Sequence, residues 1–171
     1  MKTLLLLRHA KSAWDDPSLV DFDRPLASRG RKAAPRMGRF LSRQPGVPDL
    51  VLCSSAVRAQ QTWALVAAEL GSPPPVKHLR SLYLAAPSRL LAAIQRVEKT
   101  VDRLLLVGHN PGLEHLAARL AGGGKKAGLV AMATKYPTGA LAEIRFDTGS
   151  WADIAAGAGT LVRFTRPKDL G

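Results

Sequence analysis

Cysteine occurs once in the 171 residues, at Cys53, and acidic residues are scarce: 13 aspartates and glutamates stand against 25 lysines and arginines. One thiol closes no internal disulfide, so the chain is not a cross-linked secreted scaffold and suits a reducing compartment. Aromatic residues number nine (three Trp, two Tyr, four Phe), a poor supply of the stacking platforms that hold single-stranded nucleic acid. No apolar run approaches the roughly 18 to 20 residues that cross a bilayer, and the stretch Thr3 to Leu7 is shorter than the apolar region of a signal peptide. A cytoplasmic protein without membrane contact is expected.

The formal net charge of +12 predicts a surface that gathers anions. Such a surface suits nucleic acid, acidic lipid or phosphorylated molecules, or is simply a solvated coat. With 46% apolar and 22% charged residues the composition is globular, and the length suits one domain over residues 1–171.

Apolar runs predict strands at Thr3 to Leu7, Asp49 to Cys53, Leu104 to Val107, Ala140 to Phe146 and Thr160 to Thr165. Helix-length patterns fall at Ser28 to Arg43, Ser55 to Leu70, Pro87 to Glu98 and Pro111 to Ala121, with Ser28 as a candidate N-cap. Alternation of strand and helix predicts an α/β fold, a single-domain three-layer sandwich with a mainly parallel central sheet flanked by helices. The stretch Gly122 to Lys126, GGGKK, reads as a flexible basic loop.

In such a sheet, ligands bind beyond the carboxyl ends of the strands. Three segments place polar residues there: Leu7-Arg8-His9, Cys53-Ser54-Ser55-Ala56-Val57-Arg58 and Gly108-His109-Asn110-Pro111. Ser54 or Ser55, and Asn110 with Pro111, suit helix starts. Two histidines and two arginines are then expected to converge. Arginine forks grip phosphoryl oxygens, and a neutral imidazole can attack phosphorus, so the set suits phosphoryl transfer without a metal or other cofactor. Other motifs fail. His109 and His115 lie six positions apart, which suits no zinc pair on one helix; four residues rather than five separate Cys53 from Arg58; and GGGKK has Arg119 where a nucleotide loop needs glycine. Cys53 reads as a small buried strand residue, His78 and His115 as surface histidines, and Trp14, Trp63 and Trp151 as core or boundary packing.

LLLLRHAKSAW resembles the RHG-type signature of the histidine phosphatase (phosphoglycerate mutase-like) superfamily, with Ala10 in place of the usual glycine. PLASRGRKAA, SSAVRAQQT and LLLVGHNPGL resemble three further motifs of that family, in family order, and carry Pro25, Leu26 and Gly30, then Arg58, then His109. The short length, with no large lid insertion, is most similar to the SixA-type phosphohistidine phosphatase branch. The resemblance implies a phosphoglycerate mutase-like fold, His9 as phosphorylated nucleophile, and Arg8, Arg58 and His109 as phosphate pocket with Ser12 at its rim.

One departure matters. Mutases and small-molecule phosphatases of this family use a glutamate as proton donor between the second arginine and the second histidine, yet His78 to Leu91 reads HLRSLYLAAPSRLL, without an acid. An alkoxide leaving group needs protonation and an imidazole much less so, so the expected substrate is phosphohistidine on a protein, or another activated phosphate. Among Asp15, Asp16, Asp21 and Asp23, the candidate substitute donors are Asp21 and Asp23, which otherwise order their loop or pair with Arg24. The alternatives are a small-molecule phosphomonoesterase of the same superfamily and a non-catalytic phosphate- or nucleic-acid-binding module, with nucleic acid disfavoured by the few aromatics.

Overall fold

A computed structural model describes residues 1–171. Its seven-stranded sheet comprises β1 (Lys2–Arg8), β2 (Leu50–Ser54), β3 (Val76–Leu79), β4 (Arg103–Gly108), β5 (Ala121–Gly124), β6 (Leu141–Phe146) and β7 (Gly159–Thr165). The strand order is β3-β2-β4-β1-β6-β7-β5. Only β6 runs against the others. Five helices connect the strands: α1 (Ser28–Ser42), α2 (Val57–Ala67), α3 (Pro87–Gln95), α4 (Gly112–Leu120) and α5 (Lys126–Thr134). No helix is long and apolar enough to cross a membrane.

The continuous leucine runs exist because both sheet faces are covered. Successive side chains alternate across a strand, so Leu4, Leu6, Leu104 and Leu106 enter one core with Leu90, Ile94 and Leu116 of α3 and α4. Leu5, Leu7, Leu105 and Val107 enter the other with Met37, Leu41, Trp63 and Val66 of α1 and α2. All eight of these strand side chains are fully buried, each stabilising by about 1.5 to 3 kcal/mol relative to exposure. The register aligns Leu7 with Val107 and Arg8 with Gly108. His9 and His109 therefore leave neighbouring strands at the same level.

The chain leaves β1 over one face toward β2 and leaves β4 over the other face toward β5, so β1 and β4 straddle a switch point of the sheet. That is where an open parallel sheet offers a crevice.

Two local expectations are corrected, and one strand was not expected. The GGGKK stretch is not a loop: Ala121–Gly124 forms edge strand β5 against β7, and Lys126 opens α5. Its glycines are needed for close approach, since a Cβ on Gly122 would lie 2.0 Å from the Gly157 carbonyl oxygen. Strand β3 follows directly from the proline run and is an exposed edge without the apolar signal of a core strand. Ser28 is not the cap of α1; it is the first helical residue, preceded by Ala27.

Candidate active site

His9 is 6% exposed at the carboxyl end of β1, and its Nδ1 lies 2.7 Å from the Ala10 carbonyl oxygen. A carbonyl only accepts, so Nδ1 carries the proton and Nε2 keeps its lone pair. Toward that lone pair Arg58 directs Nε at 3.4 Å. Thr62, one turn beyond Arg58, fixes this approach: its Oγ1 accepts from the Ala10 amide (2.9 Å) and donates to the Arg58 carbonyl (2.7 Å).

The rest of the Arg58 guanidinium faces Asp21. Nη1 donates to the Asp21 backbone carbonyl (2.7 Å) and Nη2 to its carboxylate (3.0 Å). The Tyr83 hydroxyl donates to the same carboxylate oxygen, and Arg24 Nε donates to the other at 3.1 Å. Arg24 in turn donates to Ser12 Oγ at 2.9 Å and places its guanidinium over the Trp14 ring. Ser12 thus supports Arg24, and Trp14, 71% exposed, is not a packing residue of the core.

The His109 ring centre lies 5.1 Å from that of His9, and Tyr83 meets His109 edge-on at 5.5 Å. His109 Nε2 is 2.7 Å from Ser54 Oγ. Ser54 Oγ also accepts from the Ala56 amide at 3.3 Å, and its hydroxyl proton is available to His109 Nε2. His109 Nδ1 is a buried atom without a protein partner, and it carries the ring proton when Ser54 donates to Nε2. Arg8 donates from Nη1 to the Tyr136 carbonyl (3.0 Å), which also accepts from Asn110 Nδ2 (2.9 Å), while Arg8 Nε is buried without a partner.

Burial, then neighbouring positive charge, pulls both histidines down to about 3; for His9 the bond to the Ala10 carbonyl opposes this without reversing it. Both rings are neutral at pH 7. Burial pushes the Asp21 carboxyl up, but the Tyr83 hydroxyl and the Arg58 and Arg24 guanidiniums override it and hold the group at about 2. Asp21 is ionised, and its hydrogen bonds favour that form. The arrangement therefore presents a lone pair on His9, cationic donors on Arg8 and Arg58, and a neutral imidazole on His109 with Nδ1 unpartnered, a set matched to a tetrahedral oxyanion.

The structure brings His9, Arg58 and His109 together, with Arg8 alongside and Ser12 one contact removed through Arg24. Asp21 reaches the arginines. Asp23 is exposed and makes no side-chain hydrogen bond or ion pair, Asp16 bonds only Ser18, and Asp15 is exposed. Cys53 is fully buried and its thiol is pushed up to about 12, while His78 and His115 are exposed. The sequence reading missed Tyr83, the residue of the acid-free stretch that reaches the site, and the Tyr136 carbonyl. Ser54, a helix-start candidate in the sequence, also contacts the His109 ring.

An α/β sheet that delivers two neutral histidines and two arginines to one switch point defines a phosphoryl-handling domain. The chain belongs to the histidine phosphatase superfamily (branch 1), whose family model matches residues 4–83. A relative from Mycobacterium tuberculosis, itself uncharacterised, is 40% identical over 164 residues, covering 95% of this chain and 100% of that one. A solved structure from Nakamurella multipartitia, assigned as the phosphohistidine phosphatase SixA, is similar with a TM-score of 0.81 at 26% identity, covering 97% of this chain and 96% of that one. The protein histidine phosphatase SixA complexed with tungstate gives a TM-score of 0.75 at 25% identity, with 98% of each chain covered. Family and neighbours together mark this chain as a SixA-like phosphatase.

Proposed function

We propose that the protein is a metal-independent phosphohistidine phosphatase acting through a covalent phosphohistidine on His9. The observation that carries this is the orientation of the His9 ring, whose Nε2 lone pair faces the Arg58 Nε–H. The His9 Nε2 lone pair attacks phosphorus as the P–N bond to the substrate imidazole breaks. The bonding pair leaves on that ring nitrogen. When the far nitrogen of the substrate ring carries a proton, the departing group is neutral imidazole and no acid at the breaking bond is required. Arg8, Arg58 and His109 Nδ1–H hold the three equatorial oxygens, and water then attacks the phosphorus of phospho-His9 to release phosphate and restore the neutral ring.

The same geometry disfavours alkyl esters. Asp21 is held ionised by Tyr83, Arg58 and Arg24, and the stretch from His78 to Leu91 supplies no carboxylic acid. The binding of tungstate by a SixA structure that this chain resembles fits an oxyanion pocket of this kind.

The test compares hydrolysis of a phosphohistidine peptide, p-nitrophenyl phosphate and an alkyl phosphate, with alkali-quenched labelling of the protein from a labelled phosphodonor. Expected are turnover in that order, an alkali-stable and acid-labile label on the wild type, and none on His9→Ala. Fast alkyl phosphate turnover overturns the substrate in favour of a general phosphomonoesterase. No turnover and no label, with salt-sensitive nucleic-acid binding, overturns the enzymatic reading altogether.

A further inference from the structure

Beside the phosphoryl pocket, at the same edge of the sheet, lies an open cleft of about 580 Å³. Its cationic side chains come from three elements: Arg29 from the first turn of α1, Lys135 from the segment after α5, and Arg166 and Lys168 from the turn after β7. Each wall is one residue from backbone that contacts the nucleophile segment. Arg29 precedes Gly30, whose α-carbon packs so closely on Lys11 that a Cβ would lie 2.1 Å from the Lys11 carbonyl oxygen. Lys135 precedes Tyr136, whose carbonyl holds Arg8. Pro167 packs on Gly139, whose amide donates to the carbonyls of Arg8 and His9 at 3.0 Å.

No acidic residue lines this cleft. Arg166 is paired with Asp169 at 2.9 Å, but Arg29, Lys135 and Lys168 are exposed and bonded to no carboxylate. Three like charges around one depression repel one another and are relieved by an anionic occupant. A small anion is gripped by convergent buried donors. Long, solvated side chains on the mouth of an open cleft instead act as the rim of a macromolecular interface.

Building on the phosphohistidine reading, we infer that this cleft docks an acidic segment of the protein substrate, flanking its phosphohistidine. The cations at its mouth select and orient the substrate while the chemistry stays at His9.

The test uses two phosphohistidine peptides, one flanked by glutamates and one by lysines, with phosphoramidate as a substrate that has no flanks. Wild type is expected to prefer the glutamate-flanked peptide by about tenfold in kcat/KM at low ionic strength, the preference shrinking as salt screens it. The double variant Lys135→Glu/Lys168→Glu is expected to lose that preference and keep its rate on phosphoramidate. Lys77→Glu/Arg96→Glu, with the same change in net charge elsewhere on the surface, is expected to retain it. Equal preference in all three proteins, loss in both variants, or a parallel fall on phosphoramidate overturns the docking site. Should wild type cleave neither peptide, the functional reading fails on its own. Fluorescence anisotropy of the unphosphorylated glutamate peptide then decides the cleft: weaker binding to the Lys135/Lys168 variant alone supports it, and equal binding to all three overturns it.

Discussion

Arg58 and Asp21 are joined twice, through the Asp21 backbone carbonyl at 2.7 Å and through its carboxylate at 3.0 Å. The buried guanidinium is thereby locked in rotation, and Nε is the edge left for His9. In the proposed mechanism Asp21 therefore positions Arg58 rather than serving as an acid.

Asp21→Asn removes the charge that orients Arg58. A hydrogen bond to a charged group is worth about 1.5 to 3 kcal/mol, so kcat/KM is expected to fall roughly 10- to 100-fold on phosphohistidine peptide and p-nitrophenyl phosphate alike. Parallel losses across leaving groups confirm positioning. A general acid would show a selective loss, about 10²- to 10⁴-fold, on the alkyl ester alone.

Ser54→Ala frees His109 Nε2 from its 2.7 Å partner. The proton on His109 is then expected to redistribute between the two ring nitrogens, which ¹⁵N chemical shifts of the imidazole report directly. In wild type the Nδ1–H form is expected to dominate, with the Ser54 hydroxyl donating to Nε2. In the variant kcat is expected to fall about tenfold, with a loss of stability of about 1 to 3 kcal/mol, since the buried Ala56 amide also loses its acceptor.

Acid sensitivity follows from the two histidines. Folded, each titrates at about 3; unfolded, each returns to about 6.5. Between these values the unfolded chain binds more protons. Stability is therefore complete above about pH 6.5 and declines as pH falls toward 3, by up to about 1.4 kcal/mol per pH unit for each ring. Asp21, held at about 2, adds a further loss only below its unfolded value. Urea unfolding at pH 7, 5.5 and 4.5 is expected to show this slope, and His9→Gln/His109→Gln to flatten it.

Gly30→Ala drives a methyl group into the Lys11 carbonyl, where a Cβ would sit at 2.1 Å. That carbonyl also accepts from the Ala27 amide, and Lys11 is two residues from His9. Overpacking against backbone costs about 1 to 3 kcal/mol or more, and the nucleophile segment moves with it. A lower melting temperature and a loss of activity are expected. Gly71→Ala, where a Cβ meets nothing within 4 Å, is the silent control.

The convergence of Arg8, His9 and His109 at one sheet edge was legible in the sequence because two unrelated signals coincide there. Doubly buried strands read as unbroken leucine runs, and a polar or charged residue at the end of such a run has no packing reason to be present; Arg8, His9 and His109 satisfy both conditions. The GGGKK stretch misled because glycine signals flexibility and close approach with the same letter, and the pairing that decides between them comes from β7, more than thirty residues away. Asp21 was found beside Asp23 as a candidate acid, but nothing local separates the two. The difference lies in Arg58 and Tyr83, reached only through the fold.

Tyr136 stands in the sheet and at the site at once. Its hydroxyl is set between β1 and β6, donating to the Leu6 carbonyl (2.5 Å) and accepting from the Ala142 amide (3.1 Å), while its carbonyl holds Arg8 and Asn110. The proposed phosphate pocket consequently has no hinge of its own on this side. Amide hydrogens at His9 and Gly139 are expected to exchange with solvent as slowly as those of the central strands, because loosening the pocket means parting the sheet.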